Sequence, residues 1–165
     1  VGFAHPIDAQ LASALSTTAR RCDVRVHEGG TYLCMEGPQF STLAESKLYR
    51  SWGVSVIGMT NFPEARLARE AELPYATLAM VTDYDCWHAT HDAVTVGAVI
   101  AVMQKNVAKA KEIIVALAPA VPDPGNSPAT SALAGAIITH PDSITAEVRD
   151  KLQPLIGKYI PRKTS

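Results

Sequence analysis

Ala79-Met80-Val81-Thr82-Asp83-Tyr84-Asp85-Cys86-Trp87-His88 sends an apolar run straight into two carboxylates spaced i and i+2. Residues 75–81, entered from Pro74, read as a buried strand. Parallel sheets collect their ligands where strands end, so this junction argues for an α/β protein with a site at Asp83 and Asp85. In extended chain, side chains two apart share a face, and both acids could then reach one flat ligand. An Asp at a strand exit also serves as a turn former or a helix cap. Two acids interleaved with Tyr84 and Trp87 tip the reading toward binding or proton transfer.

Working outward, Pro63 opens a charged amphipathic helix over 64–72 with Leu67 and Ala71 facing inward. Residues 54–59 read as another buried strand. Before it, Thr42-Leu43-Ala44-Glu45 has the spacing of a capping box and starts a helix that Gly53 ends. Helix and strand thus alternate at short intervals from 42 to 82, the pattern of parallel strands joined by crossover helices. Upstream, Pro6 and Asp8 open a helix carrying Leu11 and Leu15 on one face and closing near Arg20-Arg21-Cys22. Residues 23–27 and 31–35 alternate in the strand period around Glu28-Gly29-Gly30 and are expected to pair as a hairpin. Downstream, Thr95 is a candidate N-cap for a long helix to about Leu117, with Val96, Val99, Met103 and Val107 on one stripe; packing of helix on sheet accounts for most of that stripe. Pro119, Pro122, Pro124 and Pro128 with Gly125 make 118–129 a Pro-rich surface loop. A C-terminal amphipathic helix is expected over 143–160, with Val148, Leu152, Leu155 and Ile156 on its apolar side and a kink at Pro154.

The chain has 165 residues, 47% hydrophobic and 19% charged, enough for one sizeable core, so residues 1–165 are read as a single domain. A net charge of -1, with Arg20-Arg21 and Arg162-Lys163 as the only basic clusters, argues against a nucleic-acid partner. No apolar run has membrane-spanning length and no signal segment opens the chain, so a cytoplasmic protein without membrane contact is expected. Cys22, Cys34 and Cys86 lack metal-ligand spacing and fit reduced thiols better than a disulfide framework. Five histidines are scattered through the chain, at His5, His27, His88, His91 and His140. His88-x-x-His91 lacks a third ligand, so no metal is expected. Val1-Gly2-Phe3-Ala4 opens the chain inside an apolar strand-like stretch, and further sequence upstream is expected.

Strand ends near Met35, Met59 and Thr82 release three segments that a parallel sheet turns toward one edge. They read Glu36-Gly37-Pro38-Gln39-Phe40-Ser41-Thr42-Leu43-Ala44-Glu45-Ser46, Met59-Thr60-Asn61-Phe62-Pro63-Glu64 and Thr82-Asp83-Tyr84-Asp85-Cys86-Trp87. In this order and spacing, with Leu67-Ala68-Arg69-Glu70 after the second, they resemble the purine nucleoside phosphorylase superfamily, and within it the enzymes of 5'-methylthioadenosine. The resemblance covers residues 1–117 well and 119–165 loosely. It implies a three-layer phosphorylase-type α/β fold with a mixed central β-sheet flanked by helices, of which this chain is about the second half. It also implies a homotrimer. The family's phosphate-binding glycine-rich loop and Arg-His pair have no counterpart here, so phosphate binding is expected from an N-terminal half of the same subunit.

The reaction so implied is phosphorolysis of 5'-methylthioadenosine to adenine and 5-methylthioribose 1-phosphate, with inorganic phosphate as co-substrate and no cofactor. Breaking the N-glycosidic bond places negative charge on the purine, which asks for a donor at N7 that strengthens as the base leaves. By resemblance that donor is Asp83, held protonated by a poorly solvated pocket, while Asp85 accepts from the exocyclic amine. Relatives selective for 6-oxopurines place an amide where Asp83 stands, so Asp83 favours adenine. Phe40 resembles the aromatic beside base and sugar, Ser41 a polar group beside the purine, and Tyr84 lies between the two acids. The Met59 backbone would meet the ribose hydroxyls and Thr60 the phosphate, while Val96 and Val99 would wall the 5'-methylthio group. Each has a plainer alternative: Phe40 as core, Thr60 and Asp85 as caps, Val99 as helix-sheet packing. Gln39 replaces a frequent Arg, and Gly58 replaces an Asn of animal relatives. A 5'-methylthioinosine or general purine nucleoside phosphorylase stays open, as does a non-catalytic half that binds purine or serves assembly.

Overall fold

Thr42 shows how directly this chain sets its elements. Its Oγ1 accepts the Glu45 N–H at 3.2 Å and its own N–H donates to Glu45 Oε2 at 2.7 Å, the reciprocal pair of a capping box that starts helix α2, Leu43–Ser51. Trp52 caps the other end, and Gly53 follows at φ 76°, a left-handed turn that glycine takes without steric cost. The computed structural model describes residues 1–88 and 96–160, of which the side chains of Val96, Ala98 and Val99 are not part. Thr95 and His91 lie outside the described residues.

In chain order the elements are α1 Ala9–Arg21, β1 Tyr32–Cys34, α2, β2 Val56–Gly58, α3 Asn61–Glu70, α4 Val96–Leu117, α5 Ala146–Lys151 and α6 Gln153–Ile156. Strands β1 and β2 pair in parallel, Tyr32 opposite Val56, Leu33 opposite Ile57 and Cys34 opposite Gly58, with α2 as the crossover between them. This is one step of the helix and strand alternation expected from 42 to 82. The hairpin expected around Gly29-Gly30 is not formed: residues 23–27 carry no strand, and 31–35 pair with 54–59 instead. Residues 75–81, expected as a buried strand, form no ladder among the described residues. Where a mixed sheet was expected, the described residues hold this one parallel pair.

The chain divides into two compact units. One comprises Ala12–Phe62 and Thr77–Val121. Its core gathers Ala19, Cys22 and Ile113, with Leu15, Val24, Val26 and Leu78 packed against them. Val24 and Val26 turn inward with period two, so the alternation seen in the sequence reports burial even without the hairpin. Ile113 is the α4 residue in this core, while Met103 and Val107 of the expected stripe stand exposed. Lys109 Nζ reaches the Cys22 carbonyl at 3.1 Å, and Asn106 Nδ2 reaches the Val81 carbonyl at 3.1 Å.

The other unit comprises Val1–Leu11, Pro63–Ala76 and Pro122–Ser165. Within the Pro-rich stretch, Pro124–Asn126 and Pro128–Ser131 are single 3-10 turns, each opened by its proline. Ser127 Oγ donates to Asp8 Oδ2 at 2.6 Å, and the Leu11 N–H donates to Asp8 Oδ1 at 2.8 Å. The Ser127 hydroxyl, ahead of the backbone donors, holds the Asp8 carboxyl below the usual aspartate value. The helix expected over 143–160 is instead two short ones. Thr145 caps α5, and Pro154, which has no N–H to give, falls in the first turn of α6. Glu72 binds this unit together: its carboxylate accepts the Leu133 N–H at 2.9 Å, the Tyr159 hydroxyl at 2.5 Å and the Lys158 ammonium at 3.1 Å. No helix among the described residues is long and apolar enough to cross a membrane.

Candidate active site

Because β1 and β2 run parallel, the chain leaves both at the same edge. The Met35 N–H continues the ladder by donating to the Gly58 carbonyl at 2.9 Å, which carries the pairing to the mouth of the 36–41 loop. Gly37, at φ 74°, then passes so close to Met59 that a Cβ there would lie 2.7 Å from the Met59 sulfur. The third segment arrives at the same place. The Cys86 thiol lies 3.5 Å from the Ser41 carbonyl, and the Arg50 guanidinium of α2 covers the Trp87 ring. The three segments singled out in the sequence therefore meet at the carboxyl edge of one parallel pair.

Within this cluster the acids are arranged by a turn. Asp83 Oδ1 accepts the Asp85 N–H at 2.8 Å, an Asx turn, and Asp83 Oδ2 accepts the Thr82 hydroxyl at 2.7 Å. Asp85 adopts φ 63°, the left-handed region in which Asp is tolerated better than most residues. The shared face expected of an extended chain is thus replaced by a fold-back that orients Asp85 by its own backbone. Asp85 Oδ2 is buried and has no hydrogen-bond partner among the described residues. A buried carboxylate oxygen left in this way is an acceptor site waiting for a donor. The poorly solvated surroundings expected for Asp83 are not supplied by the described residues, where its side chain is exposed.

Around the acids, the Tyr84 ring meets Trp87 edge-on at 6.2 Å and His88 at 5.0 Å. Phe40 is 83% exposed, so it is not the core residue that its setting after Gly-Pro allowed. Ser41 is half-buried with its hydroxyl 3.6 Å from the Met35 sulfur. Met59 is half-buried, and Thr60 stands exposed one residue before α3. Val96 opens α4 and Val99 lies in its first turn, but their side chains lie outside the described residues. No cluster of metal-binding side chains occurs among the described residues.

The Phosphorylase superfamily model matches residues 1–119. The chain belongs to the phosphorylase superfamily. It is 53% identical over 160 residues to S-methyl-5'-thioadenosine phosphorylase of Geobacter sulfurreducens, covering 97% of this chain and 56% of that protein. A protein of the same name from Synechocystis is 53% identical over 165 residues, 98% of this chain and 51% of the relative. Among solved structures, a methylthioadenosine phosphorylase from an antarctic soil metagenomic library superposes with a TM-score of 0.84 at 40% identity, over 94% of this chain and 55% of that one. Methylthioadenosine phosphorylase from Schistosoma mansoni in complex with adenine gives 0.66 at 30% identity, over 73% and 48%. The chain spans about half the length of the curated relatives it matches.

Two residues of this superfamily member were not singled out by sequence reasoning. Arg50 is one; a basic residue in a last helical turn reads as a partner of the helix dipole, and nothing local announces its ring. Tyr32 is the other. Its hydroxyl fills the space that a Cβ at Gly58 would occupy, so Gly58 is required by a neighbouring side chain rather than by its backbone. Gly58→Ala is expected to cost about 1–3 kcal/mol by overpacking, and less than about 0.5 kcal/mol when introduced into Tyr32→Leu. Urea unfolding of the four variants of that cycle measures the difference.

Proposed function

We propose that this chain carries the purine and ribose side of an enzyme that phosphorolyses 5'-methylthioadenosine to adenine and 5-methylthioribose 1-phosphate. The observation that carries the reading is the meeting of the 36–41, 58–61 and 82–87 segments at one sheet edge, with Gly37 against Met59 and Cys86 on Ser41. The names of relatives half identical to the chain support the same chemistry.

A phosphate oxygen attacks C1' as the bond from C1' to purine N9 breaks, and the bonding pair passes to the purine. Asp83 in its carboxylic acid form, with water excluded from it by the bound nucleoside and the upstream part of the subunit, donates its hydrogen to N7 as that charge builds, so its contact strengthens in the transition state. Asp85, through the Oδ2 that has no partner among the described residues, accepts from the 6-amino group. Phe40 and Ser41 lie beside the base, and Tyr84 belongs to the same acid loop. The Met59 backbone meets the ribose, Thr60 meets phosphate, and Val96 and Val99 wall the 5' substituent. Phosphate as co-substrate, an upstream part of the subunit that binds it, a three-layer α/β fold with a mixed sheet, a homotrimer and a cytoplasmic location complete the proposal. The free thiols of Cys22, Cys34 and Cys86 accord with the last of these.

Turnover by the full-length protein, with and without phosphate, is the test. Adenine is expected from 5'-methylthioadenosine only with phosphate. Inosine and 5'-methylthioinosine should be poorer substrates by about 10- to 100-fold, the worth of one mispaired buried polar group. A preference for inosine would overturn the assignment of Asp83.

A further inference from the structure

Arg50, in the last turn of α2, lays its guanidinium over the Trp87 ring with Cζ 3.5 Å from the centroid, close enough for the planar group to rest on the ring face. We propose that Arg50 is a positioning residue that acts through Trp87 to hold the acid-bearing loop in its purine-receiving conformation. The inference rests on the phosphorylase reading above, which gives that loop its task.

Beyond the Asx turn at Asp83, the loop needs an outside support. Asp85 sits at a positive φ that a β-carbon disfavours by about 1 kcal/mol, and the Cys86 thiol is a weak donor. Trp87 is the half-buried centre of the segment, with Tyr84 edge-on at 6.2 Å and His88 at 5.0 Å. Whatever fixes the Trp87 ring therefore fixes the residues on both sides of Asp85. Arg50 does so from a helix whose other end is locked by Thr42 and Glu45, directly after Phe40 and Ser41. One nine-residue helix thus carries the purine-side loop at its start and the clamp on the acid loop at its end. If the clamp opens, the binding-competent loop becomes a fraction of the population, and affinity falls by that fraction while chemistry in the bound state is unchanged.

The test uses the full-length protein and compares wild type, Arg50→Met, Arg50→Lys, Trp87→Leu and the Arg50→Met/Trp87→Leu double variant. Arg50→Met is expected to raise KM for 5'-methylthioadenosine about three- to tenfold, with kcat and the KM for phosphate within about twofold of wild type. Arg50→Lys, which keeps the cation without the flat stack, should fall between, and the double variant should lose no more than Trp87→Leu alone. A KM for 5'-methylthioadenosine unchanged in Arg50→Met, an equal loss toward phosphate, or additive losses in the double variant would overturn the inference. Should Arg50→Met fail to fold, the same comparison is read from Arg50→Lys. Wild type inert toward 5'-methylthioadenosine would bring down the phosphorylase reading together with the inference; an active wild type with an indifferent Arg50→Met brings down the inference alone.

Discussion

Asp83→Asn in the full-length protein is expected to lower kcat and kcat/KM for 5'-methylthioadenosine together, by about 100-fold or more, the usual worth of a positioned general acid. The substitution is chosen to disturb little else. An Asn carbonyl can still accept the Asp85 N–H that Asp83 Oδ1 holds at 2.8 Å, so the turn that sets Asp85 at φ 63° survives. What changes is the group offered to the base: a carboxyl that can pass its proton toward N7 becomes an amide that can only donate a weakly acidic N–H. The same amide suits a 6-oxo group, so the ratio of inosine to 5'-methylthioadenosine turnover should rise by about tenfold or more beyond the general loss. Steady-state kinetics on both nucleosides, with a thermal melt to show the fold intact, measure this. A loss below about threefold would remove Asp83 from the chemistry.

Glu72→Ala is expected to destabilise the protein by about 2–3 kcal/mol, since it leaves the Leu133 N–H, the Tyr159 hydroxyl and the Lys158 ammonium without their common acceptor. The side chain is only 11% exposed, so water replaces that acceptor incompletely. Glu72 also sits at φ 55°, and Glu72→Gly, which loses the same bonds but relaxes the backbone, should be about 1 kcal/mol less destabilised than Glu72→Ala. Urea unfolding of both variants tests that ordering. A pH signature accompanies it. Partial burial raises the Glu72 pKa, but the Tyr159 hydroxyl, the Leu133 amide and Lys158 outweigh it and hold the carboxyl below its ordinary value of 4.5. A carboxyl more acidic in the folded state stabilises fully above its unfolded pKa. Its contribution therefore stands at neutral pH and is lost as pH falls below 4.5 through the depressed folded value. Glu72→Gln removes this ionisation, so the stability difference between wild type and Glu72→Gln should shrink over that acidic range. A difference constant from pH 7 downward would refute the assignment.

Local rules explain what could be read from the residues. The capping box at Thr42 and Glu45 and the turn at Gly53 need only their own neighbours, and both are found in place. The parallel pairing of β1 and β2 was implied by the helix between them, because strands joined by such a crossover run the same way. The misread hairpin shows the limit. Gly29 and Gly30 do adopt positive φ, as a tight turn would require, yet 31–35 take 54–59 as their partner, a choice settled by tertiary packing. Likewise, the i and i+2 spacing of Asp83 and Asp85 suggested a common face for the acids, whereas the Asx turn at Asp83 folds the chain back before Asp85. The apolar side of 143–160 was legible, but Pro154 divides it into two short helices rather than bending one. Arg50 was hidden because its ring partner lies on a distant segment.

The tyrosine hydroxyl lodged over Gly58 ties two places in the chain into one unit of inheritance. A lineage that gains a side chain at 58 must first or simultaneously surrender the aromatic ring at 32, and a lineage that acquires the ring forfeits every choice but glycine. Departures at such a place are therefore records of an exchange between strands, and homologues should vary there in pairs.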